Sequence, residues 1–287
     1  MTDSGLVVVD KPAGMTSHDV VARIRREFGT RKVGHAGTLD PMATGVLILG
    51  IERGTKFLAH MVAATKAYDA TIRLGASTTT DDFEGEILTE TSAEHITDEE
   101  ALAEIKKLTG DIMQKPAKVS AIKIDGKRAY QRVRDGEEVD IPARPVTVSR
   151  FDVNASRTNP REFDVTVECS SGTYIRSLAR DLGESLGVGG HLTALRRTAV
   201  GPFLLADASP IDNLQLSLTL DEALVRCYPR LDVTEEEAAK LAMGQWLEPR
   251  GLKETHAAVG PDGRSVALIK EQGKRLATVF VAHPSTL

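Results

Sequence analysis

Asp40 is a carboxylate in surroundings suited to chemistry. It lies in Gly37-Thr38-Leu39-Asp40-Pro41-Met42-Ala43-Thr44-Gly45, just ahead of an apolar run. Pro41 pushes residue 40 towards extended backbone, and the flanking glycines let main chain pack close to a ligand or another segment. A carboxylate held this way can act as a nucleophile or base, roles that need tight placement. The same residues also read as an Asp-Pro turn in which Asp40 is a hydrogen-bonding cap. His35 sits earlier in the same glycine-containing stretch, where its flat ring could stack on a base or hydrogen-bond the loop. Tyr68 falls on the apolar side of an alternating run, as a core tyrosine or a reactive one. Arg176 begins a predicted helix in Gly172-Thr173-Tyr174-Ile175-Arg176. A cation is poorly placed for the helix dipole there, so an anionic partner is one reading and a solvated surface arginine the other.

Other chemistries lack their motifs. No HxH, HExxH or CxxC spacing accompanies His35, so a metal site is not expected. The glycines at 183, 187, 189 and 190 lack the strand–loop–helix order of a dinucleotide fingerprint, and nothing matches GxxxxGK[ST]. Ser170-Ser171-Gly172 is not a GxSxG elbow. The expected chemistry uses no cofactor.

The elements that must position these residues alternate between strand and helix. Residues 5–11 (GLVVVDK) read as a buried strand. Thr16 or Ser17 caps a helix to about Phe28, with Val20, Val21 and Ile24 on one face. Residues 31–45 show neither period and read as an ordered loop. A second buried strand follows at 46–51, then a helix from near Arg53 to about Ala63. Residues 66–74 alternate with Tyr68, Ala70, Ile72 and Leu74 on one side. An acidic surface helix is expected over 97–108, strands at about 146–153 and 162–169, a helix over about 173–186 and an extended element over 191–198. Residues 114–145 are broken by Pro116, Gly126, Gly136, Pro142 and Pro145, with one short helical stretch near 129–134. They read as a mobile basic arm. From about Leu231 a helix capped by Thr234 precedes short β runs, which suggests a small β-rich domain.

The 287 residues carry a net charge of −5, yet the charge is unevenly distributed. Residues 75–112 carry −9 and residues 206–248 carry −6, whereas residues 115–134 carry +6 and residues 11–56 carry +4. Such polarisation can present a basic face to phosphates, although solvated helix faces with i,i+4 pairs would also account for it. No apolar run approaches a membrane span. Cys169 and Cys227 are the only cysteines, which excludes a disulfide scaffold and points to a reducing cytoplasm.

The stretch from Gly34 through Leu47, GHAGTLDPMATGVL, resembles the catalytic signature of the TruB family of tRNA pseudouridine synthases. The resemblance extends to Val9-Asp10-Lys11-Pro12-Ala13-Gly14-Met15-Thr16-Ser17, Thr55-Lys56-Phe57, Lys66-Ala67-Tyr68, Val119-Ser120-Ala121-Ile122-Lys123, Ala143-Arg144-Pro145, residues 171–176 and Leu195-Arg196-Arg197. These blocks keep the family's order across about residues 5–200. The resemblance implies an α+β fold: a mixed, mainly antiparallel catalytic domain over 1–228 with a thumb insertion at about 114–145. A small PUA-like β domain over 229–287 would follow, and here the match is loose. By the same resemblance Asp40 is the catalytic aspartate, Tyr68 stacks on the target base and assists proton removal, and Arg176 pairs with Asp40. Leu195 closes the apolar side of the pocket. His35 stacks in the tRNA T-loop where the base has flipped out, Lys56 lies near the pocket floor or the RNA backbone, and Lys123 in the thumb binds RNA. The implied substrate is uridine 55 of tRNA, bound through T-loop and stem by a cytoplasmic monomer. No guide RNA, metal or nucleotide cofactor is implied. The residues alone also admit an RNA-binding module with vestigial catalysis, or an aspartate-nucleophile hydrolase of a small glycoside.

Overall fold

The structure, a computed structural model, describes residues 3–61, 63–120, 122–154, 159 and 161–285. In chain order its elements begin β1 (Gly5–Lys11), α1 (Ser17–Phe28), β2 (Val33–Ala36), β3 (Thr44–Ile51), α2 (Gly54–Phe57) and β4 (Lys66–Leu74). Next come β5 (Ala76–Thr78), β6 (Ile87–Glu90), α3 (Asp98–Lys107), β7 (Gly110–Gln114), β8 (Lys123–Ile124), β9 (Lys127–Arg128) and α4 (Ala129–Arg134). They are followed by β10 (Arg144–Val153), β11 (Glu162–Cys169), α5 (Ile175–Ser185), β12 (Gly190–Val200), β13 (Phe203–Leu204), β14 (Ser209–Pro210) and β15 (Leu218–Thr219). The chain closes with α6 (Leu220–Cys227), β16 (Arg230–Asp232), α7 (Glu235–Ala242), β17 (His256–Val259), β18 (Ser265–Gln272) and β19 (Arg275–Val281). Most strand pairs are antiparallel; β1 with β14 and β16 with β17 are parallel.

Two compact units emerge, the first from residues up to Pro41, from Gly45 into the segment after α2, and from Gly201 onward. Its centre is the antiparallel pair β1–β3, running from Gly5 opposite Ile51 to Lys11 opposite Gly45. Both strands are buried along almost their whole length, which is why they read as continuous apolar runs. Strand β2 pairs with the other edge of β3. Thr16 starts α1 with a capping box to Asp19, and Val20, Val21 and Ile24 point inward. The four-stranded sheet β16-β17-β18-β19 has its own core of Val233, Leu241, Ala258, Ile269 and Leu276. Its last strand meets α2, where Phe280 lies 5.7 Å from the Phe57 ring and Arg53 Nε donates to the Val281 carbonyl at 2.5 Å.

The second unit, residues 42–44 and the described part of 63–200, is built on the antiparallel order β12-β4-β11-β10-β7. Burial alternates along β4 as the sequence period requires, with Tyr68, Ala70, Ile72 and Leu74 inside. Helix α5 packs on β12, and the approach is close enough to require glycine. A Cβ at Gly183 would sit 2.1 Å from the Gly190 nitrogen. The basic arm folds on itself: β8 and β9 form a hairpin, and α4 packs Ala129 and Val133 against Ile122, Ile124, Val139 and Ile141.

Three expectations are corrected. Residues 31–45 are not a loop throughout, because β2 pairs with β3 and β3 begins at Thr44; edge pairing overrides the poor strand propensity of Gly34. The helix expected to reach Ala63 is α2 alone, tightening into a 3₁₀ turn at Leu58–His60. The arm holds a hairpin and a small core besides its helical turn. Ala121, in the middle of one matching block, lies outside the described residues.

Candidate active site

The loop carrying Asp40 spans residues 37–43 between β2 and β3. It is fixed on both sides of the half-buried carboxylate. On one side the Ser17 hydroxyl, in the first turn of α1, accepts from the Leu39 N–H at 3.0 Å and donates to the Leu39 carbonyl at 3.3 Å. On the other side the Pro41 carbonyl accepts from the Gly14 N–H at 2.8 Å and from Lys11 Nζ at 3.2 Å. That ammonium is fully buried at the end of β1, and it also bonds the carbonyls of Pro12 (2.8 Å) and Met15 (2.7 Å). Leu39, Met42 and Ala43 are buried, whereas Gly37, Thr38 and Pro41 are exposed, so the half-buried Asp40 sits where the loop meets solvent. Beyond them Thr44 Oγ1 accepts from Arg196 Nη1 at 3.2 Å. A carboxylate on a loop with this many anchors is preorganised, which nucleophilic or general-base work demands.

His35 lies on β2 opposite Leu49, its ring half-buried and edge-on to His18 at 5.7 Å. His18 had no signal of its own in the sequence. Lys56 is exposed on α2. Strand β3 runs from the Asp40 loop at Thr44 to Ile51 just before α2, so Lys56 follows the far end of a strand about 26 Å long. An exposed lysine so placed does not form a pocket floor.

In the second unit the strand register gathers the remaining candidates. Tyr68 faces Val167 on β11 and Arg197 on β12, and the next inward row holds Ala70, Val165 and Leu195. Tyr68 and Leu195 are therefore diagonal neighbours on one sheet face, and both are buried. The same end of the sheet receives the start of α5 and the root of the arm. Gln114 at the end of β7 accepts from the Tyr174 N–H at 2.8 Å and donates to the Tyr174 carbonyl at 3.1 Å, fixing the entry to α5.

Arg176 is buried in the first turn of α5. Its guanidinium donates to the carbonyls of Thr80 at 2.9 Å and Val119 at 3.0 Å. One turn on, Arg180 donates to the Lys115 carbonyl at 2.7 Å and pairs with Asp81 at 3.4 Å. Two arginines on one helix face thus hold the turn at residues 80–81 and the root of the arm. Burial pushes the Asp81 carboxyl up to about 6, a rise the charges of Arg180 and Arg176 reduce. Its place at a helix start is reason to seek a partner for Arg176, whereas Arg180, Asp81 and Gln114 carry no such signal.

The arm's bases are not all left to solvent. Arg132 is held by Glu137 (3.2 Å), the Ile124 carbonyl (2.9 Å) and Asp125 (3.4 Å), and Lys115 pairs with Asp140 at 3.1 Å. Lys123 is exposed on β8 and forms no ion pair among the described residues. Among those residues no cluster of three or more His, Cys, Asp or Glu side chains could hold a metal, and no helix is long and apolar enough to cross a membrane.

One unit thus holds an anchored carboxylate, and the other a buried tyrosine, a buried leucine and a buried arginine beside a basic arm. Residues 25–175 match the model for the N-terminal domain of TruB family pseudouridylate synthases. The chain belongs to the TruB family. Residues 176–228 match a tRNA pseudouridylate synthase B C-terminal domain, and residues 228–283 match a tRNA pseudouridine synthase II C-terminal domain. Among TruB relatives, proteins named tRNA pseudouridine synthase B are 72% identical in Corynebacterium glutamicum strain R (99% of this chain, 97% of that protein) and 72% identical in Corynebacterium aurimucosum (100% of each). The Nocardia farcinica protein of that name is 58% identical over 99% of this chain and 94% of its own. A crystal structure of a Cbf5-Nop10-Gar1 complex superposes with a TM-score of 0.73 at 26% identity, covering 98% of this chain and 86% of the other. The archaeal box H/ACA sRNP Nop10-Cbf5 complex gives 0.71 at 25% identity, covering 99% and 87%. The mixed, mainly antiparallel fold with a small β-rich C-terminal sheet is the pseudouridine synthase fold.

Proposed function

We propose that this TruB protein isomerises uridine 55 in the T-loop of tRNA to pseudouridine, acting as a monomer without a guide RNA. The observation that carries the reading is identity of 72% along the whole chain with proteins named for this activity. In the reaction the Asp40 carboxylate attacks the ribose or otherwise drives cleavage of the C1′–N1 bond of a flipped-out uridine. The freed uracil turns and rejoins C1′ through C5; the C5 proton leaves and N1 carries a proton in the product. Arg176 pairs with Asp40 and keeps it ionised, Tyr68 stacks on the base and assists loss of the C5 proton, and Leu195 closes the apolar side. His35 stacks within the T-loop. The arm acts as the thumb on T-loop and stem through Lys123 and its basic neighbours, and Lys56 reaches the RNA backbone. An arm with its own hairpin and core supports action without guide RNA. The catalytic domain covers 1–228 and the PUA-like domain 229–287, a division supported by a separate sheet beginning at β16. The enzyme works in the cytoplasm, with no cofactor.

The test is tritium release from tRNA carrying [5-³H]uridine. Wild type should release one tritium per tRNA. Asp40→Asn, which keeps the side-chain shape and removes its charge, should lower the rate by about 10³-fold or more. A folded Asp40→Asn variant with near wild-type activity would remove Asp40 from the mechanism.

A further inference from the structure

Lys66 opens β4, two residues before Tyr68 and therefore on the same sheet face. The register sets it opposite Cys169 on β11 and Val200 on β12, while Arg197 stands opposite Tyr68. Its ammonium is half-buried and forms no hydrogen bond or ion pair among the described residues. That is an expensive arrangement for a charge with no evident structural task. Burial lowers the lysine's pKa, and the positive charge of Arg197 lowers it further. The neighbouring thiol offers no compensation, because burial pushes Cys169 up to about 11 and keeps it neutral. Thr173 bonds that thiol, so the loop leading to α5 borders the same spot. Lys66 and Arg197 share this sheet face with the aromatic ring, and the Arg197 charge felt at the lysine favours an anion arriving beside it.

We propose that Lys66, with the field of Arg197 behind it, is a phosphate subsite that binds the RNA backbone next to the nucleotide held against Tyr68. This rests on the reading of the protein as a tRNA pseudouridine synthase. A phosphodiester is the charged group covalently nearest to a base stacked on Tyr68. An ammonium waiting for it spends its desolvation before binding, so the phosphate meets a donor already stripped of water. Lys66 is thus a positioning residue: it fixes where the flipped nucleotide's backbone enters and leaves the reacting atoms to other groups.

The experiment compares wild type, K66R and K66M in two assays. Affinity for unmodified tRNA is followed by filter binding across a potassium chloride series, and tritium release is followed at varied tRNA concentration. One phosphate contact fewer reduces the slope of log Kd against log salt by about one. Between about 50 and about 200 mM salt, wild type should therefore lose about three- to fourfold more affinity than K66M. K66R should restore the wild-type slope, because it keeps the charge. The loss in K66M should appear chiefly in KM. An unchanged salt slope in K66M overturns the subsite, whether kcat falls or holds, because neither a chemical nor a packing role alters counterion release. Failure of wild type to release tritium from tRNA would instead refute the function on which the subsite rests.

Discussion

Replacing Ser17 with alanine tests whether loop anchoring is what makes Asp40 competent. The Ser17 hydroxyl satisfies both the N–H and the carbonyl of Leu39, and the side chain is fully buried in the first turn of α1. Alanine keeps the helix and its Thr16 cap but strips two buried backbone groups of their partner. An unsatisfied buried group costs about 1–3 kcal/mol, so losing the partner of two should lower stability by about 2–6 kcal/mol. At about 2–4 °C per kcal/mol, that lowers Tm by about 4–24 °C. Asp40 is the next residue, and its loop loses the anchor on that side while keeping those from Lys11 and Gly14 on the other. A displacement of about 1 Å at a reacting group costs about 10²-fold in rate. The expected result in the tritium assay, run well below the melting transition, is a kcat lowered by 10- to 100-fold with KM little changed. If kcat stays within twofold of wild type while Tm falls as expected, the anchors serve folding alone and the preorganisation argument fails.

Asp81→Asn should abolish a pH dependence of stability. The folded protein binds the Asp81 proton more tightly than the unfolded chain, so its contribution to stability falls as pH rises from about 4 to about 6. The shift from 3.8 to about 6 corresponds to about 3 kcal/mol. Asparagine tolerates the positive φ at this position, so denaturant melts should show the variant gaining about 3 kcal/mol on wild type between pH 4 and pH 7; parallel curves would refute burial as the cause. Replacing Lys123, Lys127 and Arg128 together by alanine should weaken tRNA binding about tenfold or more at low salt and flatten its salt dependence, with the melt unchanged. Arg132→Ala should instead loosen the arm, because that guanidinium is bound to Glu137 and the Ile124 carbonyl, and equal salt slopes for the two variants would contradict this division.

Much of the fold is legible because local and global signals agree. The β-branched run of β1, the alternation of β4, the Thr16 cap of α1 and the short helix α4 all lie where pattern and capping chemistry place them. The misses share a cause. Strand β2 has its two middle residues half-buried, one of them a glycine, so only its pairing with β3 makes it a strand. All four residues of β6 are exposed, which erases the alternation that would announce it. Strands β13, β14 and β15 are two residues each, shorter than any periodicity can register.

The site divides along the same line. Residues whose role is written in a local motif, such as Asp40 between glycine and proline, stand out in one dimension. Residues whose role is to hold another segment do not, because the contact exists only after folding. Ser17 meets Leu39 across 22 positions, Lys11 meets Pro41 across 30, and Gln114 meets Tyr174 across 60. A buried lysine at a strand end and a serine after a helix cap are ordinary in sequence, and the carbonyls they serve have no residue-type signature. What distinguishes Lys11 from Lys66 is likewise visible only in three dimensions. Lys11 spends its ammonium on three main-chain carbonyls and so belongs to the scaffold, whereas the Lys66 ammonium bonds no described residue and lies on the Tyr68 face of β4. A scaffold charge is stabilised when the chain folds, but a binding charge stays costly until its ligand arrives. That difference in when the cost is met, rather than residue type or burial, separates the two lysines.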